Sequence, residues 1–145
     1  MSPVFQRTGA KTGEHGDCFS ACMASVMDLP LAAVPNFNVN MTNGETLAVH
    51  NIRKLRKWLH TKGYSYAEIG YQMPTLRNML DHMYNLIPDT TYLLMGRTNT
   101  YRVHCVVAKG GDIIHDPGSE QGDYYSLRGP CPDGFWRVGL FLWNR

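Results

Sequence analysis

The chain has 145 residues, a formal net charge of +2 and a hydrophobic share of 43%, which fits one globular domain over 1–145 with an ordinary core. So small a charge does not by itself argue for nucleic-acid binding, and no apolar run nears the roughly 18 residues that a membrane span needs. The polar start MSPVFQRTGAKTGEHG lacks the apolar stretch of a signal peptide. A cytoplasmic location is expected, in which Cys18, Cys22, Cys105 and Cys131 are free thiols rather than disulfides.

Residues 1–17 read as irregular. A helix is predicted from Cys18 to Asp28, with Asp17 as its N-cap and Pro30 as its stop. Leu31–Phe37, with Pro35 inside it, holds at most a helical turn. The longest helical pattern runs from Glu45 to Lys62 and closes at Gly63. Ala48, Ile52, Leu55 and Leu59 form its buried stripe, and Arg53, Lys54, Arg56 and Lys57 a solvated basic face. Tyr64–Ile69 alternates as a short strand. Thr75 caps a further helix with Leu76, Met79, Leu80 and Met83 on one side, the methionines serving as core filler. Strand patterns follow at Thr91–Met95, Tyr101–Ala108, Asp112–Asp116 and Phe135–Trp143. Helices first and strands later point to an α+β fold, with N-terminal helices packed on a small antiparallel sheet.

The stretch RVHCVVAKGGDIIHDPG reads as a hairpin about Lys109-Gly110-Gly111. A three-residue loop at 109–111 puts His104 directly opposite Asp116 on one face of the sheet, where a carboxylate can hold an imidazole in one tautomer. A two-residue turn at Gly110-Gly111 instead sets His104 opposite Pro117 and turns Asp116 to the other face. The sequence leaves both registers open. A base and its orienter call for a nucleophile, and Cys18 fits by position: at the first helical residue, unpaired N–H groups and the positive end of the dipole stabilise a thiolate. Cys22 lies one turn deeper among apolar residues and reads as packing. Cys105 alternates with His104 and leaves the opposite face, and Cys131 sits between two prolines. The backbone N–H of Cys18 and the side chain of Gln6, the one glutamine before it, are the candidate oxyanion donors. Cys18 and Cys22 also have zinc-like spacing, but no second pair completes a four-ligand site; Cys18, Cys22, His104 and His115 are the weaker metal reading.

Gln6, then GDCFSAC, then His104-Cys105-Val106-Val107 and Asp116-Pro117-Gly118, together resemble the papain-like cysteine peptidases. The nearest branch is the double-glycine leader peptidase domains of bacteriocin exporters and their relatives. The segments CFSACMASVMDLPLAAVPNF and IIHDPG also look like those of small papain-like proteins of phages and bacteria. Residues 38–100 carry no matching motif, and Phe19 stands where the leader peptidases usually have Gly. The resemblance implies a papain-like fold with Cys18 as nucleophile, His104 as general base, Asp116 as orienter and Gln6 as oxyanion donor. It implies a thiol hydrolase that cleaves a peptide, isopeptide or related amide bond through a thioester. The substrate would be a peptide or protein, with no metal or organic cofactor, in the cytoplasm (the host's, if the protein is phage-encoded). A reading from a different class is a catalytically inactive papain-like binding protein, such as a phage protein that binds a host target. Its surfaces would be the basic helix face and the C-terminal FWRVGLFLW, a segment whose plainer reading is a buried strand.

Overall fold

The structure, a computed structural model, describes residues 1–5, 18–35, 45–118 and 127–144. Asp17 and Gln6 lie outside them. The elements are α1 (Cys18–Met27), a 3-10 turn (Leu31–Ala33), α2 (Glu45–Thr61), β1 (Tyr64–Tyr71), α3 (Leu76–Leu86), β2 (Thr91–Arg97), β3 (Val103–Lys109), β4 (Asp112–His115) and β5 (Trp136–Trp143). The chain is α+β, as the order of helical and strand patterns predicts. Five strands form one antiparallel sheet in the order β1-β5-β2-β3-β4.

Local chemistry explains the element ends. Asp28 takes a left-handed φ of 54°, and the Leu29 N–H reaches back to the Ala24 carbonyl at 2.9 Å. That closes α1 before Pro30, so the αL residue ends the helix and the proline only keeps it ended. Gly63, at φ 85°, closes α2 as predicted. The Thr75 hydroxyl accepts from the Asn78 N–H at 3.1 Å and opens α3, an N-cap worth about 1 kcal/mol.

Both faces of the sheet are covered. On one, Cys22, Met23 and Ala24 of α1 and Leu55 and Leu59 of α2 pack against Leu93, Met95, Cys105 and Val107. On the other, Met79, Leu80 and Met83 of α3 pack against Tyr92, Leu94, Val106, Ala108, Trp136 and Val138. Hence β2 and β3 are buried along nearly their whole length rather than at every second residue. Arg53, Lys54, Arg56 and Lys57 are exposed on α2, the solvated face that periodicity predicts. The segment FWRVGLFLW becomes β5, an inner strand between β1 and β2, with Trp136 and Val138 fully buried and Leu142 and Trp143 exposed. No helix among the described residues is long and apolar enough to cross a membrane.

Candidate active site

The β3–β4 hairpin decides where the polar groups go. Lys109 pairs with Asp112 and Ala108 with Ile113, which is the two-residue turn at Gly110-Gly111. Gly110 has φ 55°, its N–H donates to the Thr90 carbonyl at 3.2 Å, and the Tyr92 hydroxyl donates to its carbonyl at 2.6 Å. A Cβ there would overlap the Pro88 carbonyl. The three-residue loop is therefore not formed, and His104 is not directly opposite Asp116. The ladder then slips: Val107 pairs with His115. Ile114 is the extra residue of a β-bulge, and one extra residue exchanges the two faces for everything after it. Asp116 thereby returns to the face of His104. The wrong turn and the bulge compensate, and Asp116 Oδ1 lies 2.7 Å from His104 Nε2.

The imidazole of His104 is fully buried, and the Asp116 side chain is 23% exposed. Pro117 and Gly118 continue the chain in a turn in which the Gly118 N–H donates to the same Oδ1 at 2.9 Å. Asp-Pro-Gly is thus an Asx-type turn that fixes the carboxylate from behind, a role the sequence signals only as a turn. Cys18, the first residue of α1, acts on the ring as well. Burial alone would lower the pKa of His104, but its hydrogen bond to Asp116, its interaction with Cys18 and the charges of the same two groups push it up to about 9.

The four cysteines differ sharply. Cys18 is half-buried, whereas Cys22, Cys105 and Cys131 are buried and free. The Cys22 thiol donates to the Cys105 carbonyl at 3.3 Å, on the part of β3 that extends beyond the end of β4. Burial pushes the thiols of Cys22 and Cys105 up and that of Cys131 to about 11, with Arg137 partly offsetting the effect. Arg137 also pairs with Asp133 and lies 3.6 Å from Glu68, a partner for Cys131 that its position between prolines does not reveal.

His115, a member of the weaker zinc set, leaves the other face of the hairpin. Its Nε2–H donates to the Val4 carbonyl at 2.6 Å, and its ring meets Phe5 edge-on at 5.0 Å. The Val4 N–H donates to the buried Ser25 hydroxyl of α1 at 2.8 Å. Residues 1–5 are therefore strapped between α1 and the end of β4, next to Asp116. Gln6 follows directly and lies outside the described residues. No group of three or more His, Cys, Asp or Glu among the described residues is arranged to hold a metal ion.

Comparison with family models, with curated proteins and with solved structures gave no match.

Proposed function

We propose that the chain is a papain-like cysteine hydrolase that cleaves a peptide, isopeptide or related amide bond. The observation that carries this reading is the His104 imidazole, fully buried, held at Nε2 by Asp116 at 2.7 Å and acted on by Cys18. Nε2 bonds Asp116, and Nδ1 is the nitrogen proposed to take the thiol proton. A His104 that holds its proton up to about pH 9 can supply the acid that the leaving amine needs.

In the proposed reaction the Cys18 sulfur attacks the carbonyl carbon, and the carbonyl electrons move to oxygen. The N–H of Cys18, at a helix start and without an intrahelical acceptor, donates to that oxyanion. Gln6 is the second proposed donor, and the anchoring of Val4 and Phe5 beside the site supports it. Collapse of the intermediate expels the amine, which takes the proton from His104, and leaves a thioester. Water then gives a proton to His104 and attacks the thioester, and the released thiolate recovers the starting ion pair.

The test is the alkylation rate of each cysteine against pH, read by mass spectrometry, in the wild-type protein and in His104→Ala. Cys18 should react at least about tenfold faster than the other three below about pH 7, and the substitution should remove that advantage. Equal rates for Cys18 and Cys131 would exclude the hydrolase.

A further inference from the structure

One end of the sheet holds an arrangement that neither the core nor the Cys18–His104–Asp116 set explains. In the β2–β3 ladder Gly96 pairs with His104, and the next rung is Arg97 with Val103. Arg97 is thus one rung, about 3.4 Å of strand, beyond the histidine. Its side chain leaves the α1 face of the sheet, the face on which Val103 and Cys18 pack against one core cluster. The guanidinium has two close neighbours. Its carbon lies 4.6 Å from the centre of the Tyr101 ring, and it lies against Gly129, where a Cβ would come within 2.9 Å of Nη2.

Tyr101 holds this stack at a cost. Its φ is 60°, a left-handed conformation that favours Gly, Asn or Asp and disfavours an aromatic residue by about 1–2 kcal/mol. Yet the residue is 66% exposed, so burial does not repay the strain. The buried Thr98 hydroxyl enforces the turn by bonding the N–H groups of Thr100 and Arg102, each at 3.3 Å. Exposed Arg102 and Arg128 flank the stack, the latter through its N–H bond to the Arg97 carbonyl at 2.8 Å. Among the described residues no carboxylate pairs with any of these three arginines, although Arg77 and Arg137 both have acidic partners.

A guanidinium stacked on an aromatic ring keeps its edge N–H groups for a planar anion. We propose that the Arg97–Tyr101 stack, with Arg102 and Arg128 beside it, is a carboxylate-binding subsite that selects acidic peptides for the Cys18 site. Its role in selection rests on the hydrolase reading; its affinity for carboxylate does not. The carboxylate is either an Asp or Glu side chain or the C-terminus of the peptide.

The ratio of Cys18 alkylation by iodoacetate to that by iodoacetamide tests this in the full chain. The ratio cancels the intrinsic reactivity of the sulfur and reports the positive field at the site. It should fall about twofold in Arg97→Gln, the size of effect a unit charge about 10 Å from the sulfur has in water, should fall further in Arg97→Gln/Arg102→Gln, and should stay unchanged in Arg53→Gln on α2. Protection of Cys18 from iodoacetamide then separates the two carboxylate sources: acetyl-Ala-Glu-Ala-amide for a side chain, acetyl-Ala-Ala-Gln with a free C-terminus for a terminus, and acetyl-Ala-Gln-Ala-amide as the neutral control. Tyr101→Gly should weaken protection by the acidic peptide while leaving the urea midpoint unchanged or raised. A ratio indifferent to Arg97, equal protection by all three peptides, or a lowered midpoint in Tyr101→Gly would overturn the subsite. A slow Cys18 whose ratio still depends on Arg97 would overturn the hydrolase and leave the subsite standing.

Discussion

Replacing Asp116 by Asn keeps the shape of the side chain and removes its charge from beside a fully buried imidazole. His104 rises from the ordinary 6.5 to about 9 in the folded protein. A difference of that size corresponds to about 3 kcal/mol of folding free energy. The folded state holds a proton that the unfolded chain loses near pH 6.5, so this contribution is complete below pH 6.5 and fades as pH rises through about 9. Burial works against the imidazolium, and the Asp116 bond is the largest influence in its favour. Asp116→Asn should therefore cost about 2 kcal/mol near pH 6, within the range for hydrogen bonds to charged groups, and nearly nothing above about pH 9.5. Urea unfolding under reducing conditions, followed by tryptophan fluorescence across that range, measures the gap between the two proteins. A gap of constant size at every pH would refute the reasoning, since Asp116 would then act through shape alone.

Two further outcomes follow from the geometry. Gly110→Ala meets the Pro88 carbonyl and a φ of 55°, and should lose at least about 2 kcal/mol by urea unfolding; because the turn sets where Asp116 stands, Cys18 alkylation should slow with it. Ser25→Ala removes the buried hydroxyl that accepts from Val4. It should cost about 1 kcal/mol and raise amide exchange at residues 3–5 by hydrogen-exchange mass spectrometry, with α1 itself unchanged.

Much of this was legible in the sequence because it is written in periodicity and punctuation. The α2 stripe of Leu55 and Leu59, the Thr75 cap and Gly63 as a stop each follow from one local rule. The inequality of Cys18 and Cys22 was also local, since it depends only on distance from a helix start. The hairpin register was not. Lys-Gly-Gly satisfies two turn lengths equally well, and the choice is made by Pro88, Thr90 and Tyr92, which are about twenty residues away in sequence and press on Gly110 only in three dimensions. The bulge at Ile114 has no residue signature, for Ile suits a regular strand as well. Arg97 and Gly129 likewise meet only through a bridge that joins distant parts of the chain, so no spacing rule pairs them.

The bulge at Ile114 also constrains how this hairpin can evolve. Because the side of the sheet reached by Asp116 alternates with each residue of the strand that leads to it, the segment from Asp112 to Asp116 tolerates length changes only in even steps. Loss of Ile114 alone would leave a more regular strand and send the carboxylate to the wrong side. Insertion of two residues between Asp112 and Asp116 would keep His104 and Asp116 on a common side. Homologues that retain the pair should therefore differ between Asp112 and Asp116 by zero or two residues, and a one-residue deletion there should be as damaging as removal of the aspartate itself.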